Sequence, residues 1–346
     1  MRRSACLLLI LAYLVGCKKD EFPACDDATA LYAYASFPIG TAIDVTALDQ
    51  DTAYRDLAIQ QFNSVTPENC FKAAYLHPDP LIYNWSQADS LVQFSMAYNK
   101  RIHGHTLVWH QQLPKWMQTF EGDQQAWDRM LKDHIQTIVR HFKGKVQAWD
   151  VVNEAFDEDG SLKDNFWYQK MGASYIEKSF QYAQDVDSNA LLFYNDYNLE
   201  SNPRKLDAVL EYLNKLRSKG LKINGIGLQM HLSLNDAQPE AMNEAFQLVS
   251  KNGYSVHLSE LDISVNPEGS NTAPSADLLQ EQATLLGRIV FYYRQLPQKQ
   301  QYGITFWGIC DTYSWIRSYY NRMDYPLLYD DNYQPKPAYC ALKAFL

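Results

Sequence analysis

The feature that most constrains this chain is an alternation of short apolar runs with longer amphipathic stretches, repeated eight times after residue 36. Strands that alternate with helices form parallel sheets, and eight such units close into a (β/α)8 barrel. We therefore predict a single TIM barrel. The predicted strands are Phe37–Ile43, Phe62–Asn69, Arg101–Trp109, Val146–Ala155, Leu191–Asn198, Ile223–His231, Val256–Ser264 and Gly303–Asp311.

The stretches between the predicted strands have the periodicity of amphipathic helices, as in residues 123–142 and 204–220. In the second of these, leucine and valine recur at helical spacing and Gly220 supplies a stop signal. A doubly wound open sheet is the alternative arrangement of such units. No glycine-rich phosphate loop follows the first predicted strand, which disfavours the dinucleotide-binding form of that fold.

The first residues have the pattern of a secretion signal. A basic start, Met1–Arg3, precedes an apolar run, Ala5–Val15, that is shorter than the roughly 20 residues needed to span a bilayer. The motif LVGC at residues 14–17 resembles a bacterial lipobox, in which the chain is cleaved before Cys17 and this cysteine carries a lipid. An ordinary signal peptide with an incidental cysteine is the alternative.

These features predict three segments: a signal peptide over residues 1–16, a lipid-anchored tether and lead-in over residues 17–36, and the barrel over residues 37–346. The product would be a secreted lipoprotein, held through its N-terminal lipid on the outer membrane or cell surface of a Gram-negative bacterium. The formal net charge of -9 disfavours nucleic acid as a partner, because phosphates require basic side chains. We expect a monomer.

The chain has six cysteines. Besides the lipidated Cys17, the anchored protein would keep four cysteines, Cys25, Cys70, Cys310 and Cys340. None of these four has the spacing of a metal site. An oxidising compartment permits a disulfide, but spacing does not determine the pairing. Buried unpaired thiols are the alternative.

Polar and aromatic side chains gather near the ends of the predicted strands, where a barrel has its mouth. Carboxylates, amides, imidazoles and indoles are poor material for a dry core and suit a polyhydroxylated ligand. The candidate ligand-binding residues are Glu68, Asn69, Lys72, His105, Trp109, Gln112, Asn153, Asn195, Tyr197, Gln229, Trp307 and Trp315.

Two glutamates stand at the ends of separate strands, Glu154 on the fourth and Glu260 on the seventh. Cleavage of a glycosidic bond needs two carboxyl groups, one that donates a proton and one that attacks the sugar or activates water. We predict Glu154 as the general acid and base and Glu260 as the nucleophile. In retaining enzymes such a pair lies about 5–5.5 Å apart.

Support for the predicted nucleophile is expected from two neighbours. Asp262 follows Glu260 by two residues and therefore shares its face of the strand, and His231 comes from the adjacent strand. We predict a hydrogen-bonded set in which His231 and Asp262 keep Glu260 ionised and oriented. Negative charge on Glu260 would hold the proton on Glu154 until the nucleophile is esterified.

Eight segments occur in an order that resembles the strand motifs of glycoside hydrolase family 10. They are FNSVTPENCFK, HGHTLVWH, WDVVNEAF, YNDYN, GIGLQMH, SELDIS, TFWGICDTYSW and PLLYDDNYQPKPAY. The resemblance covers nearly the whole chain after residue 37 and implies a retaining endo-β-1,4-xylanase that acts on xylan or xylo-oligosaccharides. It gives Glu154 the acid/base role and Glu260 the role of nucleophile.

The resemblance also implies roles for the other candidates. Glu68, Asn69, Lys72, His105 and Trp109 would hold the sugar on the non-reducing side of the cut. Asn153 would supply the amide that bonds the 2-hydroxyl of the sugar. Gln229 and His231 would lie beside the nucleophile, and the indoles of Trp307 and Trp315 would wall the cleft.

One segment departs from the family pattern. After Lys72 the chain continues as AAYLHPDPLIYNW, residues 73–85, so contacts to more distant sugars do not carry over. Two other functions stay open: an endo-β-glucanase on the same scaffold, and a non-catalytic glycan-binding lipoprotein. The presence of both Glu154 and Glu260 argues against the second.

No cofactor is implied, since the chemistry needs two carboxyl groups and water. His105 and His110 would face opposite sides of a continuous strand, and no carboxylate follows at metal-site spacing, so we predict no catalytic metal. His77 and His134 are predicted at the surface. The tryptophans predicted to pack inside the protein are Trp127, Trp149 and Trp167.

Overall fold

The predicted strands pair in parallel and close into a barrel in the structure, a computed structural model that describes residues 22–346. The strands are β1 Ile39–Ile43, β2 Ser64–Pro67, β3 Arg101–Gly104, β4 Ala148–Asn153, β5 Leu191–Asp196, β6 Gly225–Leu228, β7 His231–Ser233, β8 Ser255–Ser264 and β9 Gln301–Phe306. Pairing of β6 with β8 and of β1 with β9 closes the ring, and short β7 lies beside the end of β8. The predicted TIM barrel is confirmed, and the alternative fold, a doubly wound open sheet, is wrong.

Helices surround the barrel and follow most of its strands. The helices are α1 Val45–Gln50, α2 Thr52–Gln61, α3 Ala73–Leu76, α4 Ser86–Ala97, α5 Lys115–Gln118, α6 Gln124–Phe142, α7 Phe166–Met171, α8 Ser174–Val186, α9 Pro203–Ser218, α10 Pro239–Lys251, α11 Ala276–Arg294, α12 Trp315–Tyr320 and α13 Pro337–Phe345. Within residues 22–346, no helix is both long enough and apolar enough to cross a bilayer. The predicted signal peptide and Cys17 lie outside the described residues.

Helix boundaries follow local capping chemistry. Asp123 precedes α6 and accepts from the backbone N–H of Ala126 at 2.8 Å, so the predicted start is a cap and not a helical residue. Asn202 caps α9 in the same way, with Pro203 as its first residue. The leucine and valine side chains predicted to form the inner face of α9 are buried.

Two predicted strands are interrupted where they reach the barrel mouth. β3 ends at Gly104, and residues 105–109 run on outside it, with the N–H of Val108 donating to the carbonyl of Val151. His105 and His110 therefore do not lie on one continuous strand, and their predicted placement on opposite faces of it is wrong. The sixth predicted strand breaks at Met230, whose φ of 63° is left-handed.

The lead-in is fixed on the barrel from the first described residue. The N–H of Phe22 donates to the side-chain oxygen of Gln280 at 2.8 Å, and Leu31 is fully buried. Cys25 forms a disulfide with Cys340 in α13, across a sequence separation of 315. The other two cysteines within residues 22–346, Cys70 and Cys310, are unpaired and buried.

His77 and His134 are not at the surface, as predicted, but are 3% and 1% exposed. Their Nδ1 atoms lie 2.9 Å apart, and Nε2 of His134 lies 3.1 Å from the carbonyl oxygen of Leu107. Because a carbonyl only accepts, neutral His134 carries its proton on Nε2, and its Nδ1 can accept from His77 when His77 carries a proton on Nδ1. Nε2 of His77 lies 3.5 Å from the carbonyl oxygen of Pro80, a longer contact. The packing positions predicted for Trp127, Trp149 and Trp167 are confirmed.

Candidate active site

A cavity of about 640 Å³ opens at the carboxyl ends of the barrel strands. It contains both predicted catalytic glutamates and most of the predicted ligand-binding side chains. Its lining residues are Glu68, Asn69, Lys72, His105, Trp109, Gln111, Gln112, Asn153, Glu154, Tyr197, Asn198, Gln229, His231, Glu260, Trp307, Trp315, Ser318, Tyr319 and Tyr320.

Glu260, on β8, is held on both carboxylate oxygens. The side-chain amide of Asn195 donates to Oε1 at 2.7 Å, and Nε2 of His231 donates to Oε2 at 3.2 Å. Nδ1 of His105 lies 3.9 Å from Oε1. Burial opposes ionisation of Glu260, but the charge of His105 and the hydrogen bond and charge of His231 outweigh it, so the pKa of Glu260 lies below its usual value.

His231 bridges Glu260 and Asp262. Its Nδ1 donates to Oδ2 of Asp262 at 3.0 Å, and the indole N–H of Trp315 donates to the same oxygen at 2.8 Å. Burial disfavours the charged imidazole, but Asp262 and Glu260 more than compensate and raise the pKa of His231 to about 10. His231 is therefore a cation at neutral pH, and the hydrogen-bonded set is present, while its effect on catalysis stays a prediction.

Glu154 follows β4 directly and is held by three donors. The indole N–H of Trp109 donates to Oε2 at 2.8 Å. The side-chain amides of Gln229 and Asn153 donate to Oε1 at 3.0 and 3.2 Å. These contacts aim the carboxyl group into the cavity that also contains Glu260.

The backbone at Glu154 is left-handed, with φ of 58°, and its N–H donates to the carbonyl of Asn195 at 2.9 Å. Gln112 and Asn198 also have positive φ angles and line the cavity. Non-glycine residues keep such conformations only where their surroundings enforce them. Three such residues around one cavity indicate a site whose shape is fixed by the fold.

One wall of the cavity combines a carboxyl group with a lysine. Lys72 donates from Nζ to the side-chain oxygen of Asn69 at 3.2 Å and lies 5.0 Å from the ring centroid of Trp109. Burial lowers the pKa of Lys72, although Glu260 and Glu68 oppose the shift. Burial raises the pKa of Glu68 to about 7, against the charge of Lys72. The wall offers donors and acceptors suited to sugar hydroxyls.

Asn195, predicted to bind ligand, lies beneath the lining of the cavity. Its side chain is fully buried beneath the cavity, where the amide N–H groups donate to Glu260 and to Oδ1 of Asn153. Its oxygen accepts from the hydroxyl of Ser259 at 2.6 Å. Both N–H groups and the oxygen of this amide have protein partners, and Asn195 is not among the residues that line the cavity. This geometry indicates a positioning role, and the contact of Asn195 with a ligand stays a prediction.

Tyr197 and Trp307 do line the cavity, on different walls. The ammonium of Lys163 donates to the Tyr197 hydroxyl at 3.1 Å, which fixes that ring. The Trp307 ring meets the His105 imidazole edge-on, with centroids 5.2 Å apart. Gln112 reaches the cavity from the segment beyond Trp109, and its carbonyl accepts from the N–H of Ala74 at 2.9 Å.

A buried network beneath the cavity was missed by the sequence reasoning. Asp150 on β4 accepts at 2.9 Å from His105 and at 2.9 Å from His103. The Tyr302 hydroxyl lies 3.0 Å from the other ring nitrogen of His103. Burial opposes ionisation of Asp150, but the two histidines hold its pKa well below its usual value. A buried aspartate needs hydrogen-bond partners, so the occurrence of Asp150 within an apolar strand was the sequence signal that could have indicated this network.

Five cavity residues were also missed: Gln111, Asn198, Ser318, Tyr319 and Tyr320. The last three belong to α12, and Ser318 and Tyr319 follow the predicted Trp315 by three and four residues, a helical spacing that was a usable signal. Among residues 22–346, no group of three or more histidine, cysteine, aspartate and glutamate side chains is arranged to hold a metal ion.

Comparisons with known proteins agree with this geometry. The family model described as Glycosyl hydrolase family 10 matches residues 28–345, which includes part of the lead-in. The chain is 37% identical to a β-1,4-xylanase of Dictyoglomus thermophilum, over 98% of this chain and 97% of that protein. It is 33% identical to endo-1,4-β-xylanase B of Thermotoga neapolitana, over 99% of this chain and 96% of that protein.

A solved structure is similarly close. The crystal structure of xylanase 10B from Thermotoga petrophila in complex with xylobiose superposes with a TM-score of 0.86 at 34% identity, covering 93% of this chain and 98% of that one. A parallel barrel with two carboxyl groups in one cavity at its mouth suits the hydrolysis of a glycosidic bond. The chain belongs to glycosyl hydrolase family 10.

Proposed function

We propose that this protein is a retaining endo-1,4-β-xylanase, which cuts internal bonds of xylan by double displacement. The observation that carries the proposal is the placement of Glu154 and Glu260. Both carboxyl groups face one open cavity from different barrel strands, and each is held by its own set of hydrogen-bond donors.

In the first step Glu260 attacks the anomeric carbon of the sugar. Its low pKa keeps it ionised, and Asn195 and His231 hold both oxygens in place. As the glycosidic C–O bond breaks, Glu154 transfers its proton to the leaving oxygen. The products of this step are a glycosyl ester on Glu260, an ionised Glu154 and a shortened chain with a free hydroxyl.

In the second step water replaces the ester. Glu154, now a carboxylate, accepts a proton from water while the water oxygen attacks the anomeric carbon. The ester bond breaks, and Glu260 leaves as a carboxylate beside the cationic His231. Two inversions give net retention of configuration.

Xylan is the substrate that the cleft supports best. The sequence relatives of similar length are named xylanases, and the solved relative was crystallised with xylobiose. The cavity offers amide, hydroxyl, carboxyl and indole groups on several walls, as a polyhydroxylated chain requires.

Reducing ends released from xylan, mixed-linkage β-glucan and cellulose test the function directly. We expect release from xylan as a ladder of internal products, with Glu260→Ala inactive. Glu154→Ala should lose hydrolysis of xylan but still react with aryl xylosides, whose good leaving groups need no proton. Full activity of Glu260→Ala on xylan, or activity on glucan alone, would contradict the proposal.

We also propose that Cys17 is lipidated and anchors the enzyme at the cell surface. The Cys25–Cys340 disulfide supports an oxidising compartment. Labelling of the expressed protein with a radioactive fatty acid tests this. Cys17→Ala should lose both the label and the membrane fraction while keeping activity, and an unlabelled wild-type protein would remove the proposal.

A further inference from the structure

We propose that Tyr319 and Tyr320 form an additional sugar-binding platform that extends the cleft beyond the catalytic position. The inference rests on the proposed function, because it takes a β-1,4-linked xylose chain as the ligand. Both side chains line the same cavity as the two glutamates. The platform consists of these two tyrosines together with Trp315.

The three rings form one continuous surface on α12. Trp315 and Tyr319 are four residues apart in this helix and therefore lie on one face, with ring centroids 5.4 Å apart. Tyr320 lies 5.9 Å from Trp315 and 4.9 Å from Tyr319. On another side of the helix, Ile316 is buried and fixes α12 on the barrel.

The platform is anchored at both ends. The Trp315 indole N–H donates to Asp262, which also holds His231, so this ring is tied to the support of the nucleophile. At the other end, the guanidinium of Arg322 lies 4.5 Å from the Tyr320 ring centroid. Arg322 is paired with the buried carboxylate of Asp324 at 3.2 Å.

These rings are more exposed than packing requires. Tyr319 is 71% exposed, the highest value for any aromatic side chain in residues 22–346, and Tyr320 is 52% exposed. An apolar patch that continues directly from a binding cleft marks a contact surface. Aromatic faces stack on the C–H faces of pyranose rings, and the tyrosine hydroxyls stay in water.

A polysaccharide chain is the occupant that the position of the platform favours. The surface continues from the cavity wall at Trp315, so a chain bound across the two glutamates reaches it without turning away from the protein. A short substrate beside the cut reaches Trp315, but we expect it to make fewer contacts with Tyr319 and Tyr320, which lie farther along α12. Contacts with Tyr319 and Tyr320 would therefore favour long chains over short ones.

Two substrates of different length test the platform. With xylohexaose, we expect Tyr319→Ala combined with Tyr320→Ala to lower kcat/KM about tenfold, the size expected for lost ring stacking. With 4-nitrophenyl β-xylobioside, the loss should be clearly smaller, about threefold or less. Tyr319→Phe combined with Tyr320→Phe keeps the rings and should retain wild-type values.

Tyr98→Ala is the matched control, because Tyr98 is 48% exposed and does not line the cavity. Equal losses on both substrates, or no loss on either, would overturn the platform even if the wild-type enzyme cuts xylan. A wild-type protein that releases nothing from xylan would instead remove the proposed function, and the xylose-chain ligand with it. Thermal midpoints establish that the variants are folded.

Discussion

The amide of Asn195 donates to Oε1 of Glu260 at 2.7 Å, and this contact ties the predicted nucleophile to a fully buried side chain on β5. Asn195→Ala should therefore lower kcat roughly 10²-fold with little change in KM, since a lost oriented donor costs about that much. Steady-state kinetics on xylan measure this. Asn214→Ala removes hydrogen bonds of an amide on α9 outside the cavity and should leave kcat unchanged.

A second prediction concerns pH. His231, a cation with a pKa near 10, helps to keep the pKa of Glu260 low. In His231→Ala the pKa of Glu260 should rise, and because activity requires its carboxylate, the acid limb of the kcat/KM profile should move to higher pH. His231→Gln keeps an N–H donor without charge and should shift less. An acid limb that coincides with that of wild type would contradict this role.

The buried pair of His77 and His134 should make stability dependent on pH. Burial lowers the pKa of His77 to about 4, and burial together with His77 lowers that of His134 to about 3. Histidine in the unfolded chain has a pKa of about 6.5, so below this pH the unfolded chain binds protons that the folded protein does not. The free energy of unfolding therefore falls by up to about 1.4 kcal/mol per pH unit for each histidine. The loss begins as the pH drops below about 6.5 and continues toward 4.

His77→Asn tests this coupling, because the asparagine amide can replace the Nδ1 donor but does not titrate. Urea unfolding at pH 7 and at pH 5 measures how much the free energy of unfolding decreases between these pH values. This decrease should be smaller in the variant than in the wild type, by about 2 kcal/mol. The same decrease in both proteins would show that the pair does not control the acid response.

The disulfide gives a fourth prediction. Cys25→Ser should lower the free energy of unfolding by about 2–4 kcal/mol, because the bond constrains the unfolded chain over a separation of 315 residues. Urea unfolding with and without reductant measures the effect. Reductant should destabilise the wild type and leave Cys25→Ser unaffected, while a reductant-insensitive wild type would be the contrary result.

The sequence predicted what depends on local pattern. Strand positions followed from short apolar runs, and because parallel strands end at one mouth, Glu154 and Glu260 were expected together there. Wherever a side chain is set by partners distant in sequence, the prediction was incomplete. Asn195 was assigned to the ligand because its position at a strand end is visible, whereas its contacts with Ser259 and Glu260 are not.

The errors have the same origin. His77 and His134 are separated by 57 residues in sequence but hydrogen-bond to each other, so burying their neutral side chains costs little free energy. In the sequence each histidine stands alone among polar residues, which favoured a surface position. Asp150 is likewise stabilised by His103 and His105. The interruption of β3 at Gly104 reflects the contact of the following residues with β4, which apolar periodicity does not encode.

The bond between Cys25 and Cys340 also determines how the molecule carries mechanical load. A force applied at the N-terminus passes at Cys25 directly into α13, instead of peeling the lead-in away residue by residue. Since α13 packs along α11, that force is resisted by the shear of two helices. If the enzyme is anchored through Cys17 as proposed, a pull on the tether would therefore be borne by α13 and α11 and not by the lead-in that follows Cys25.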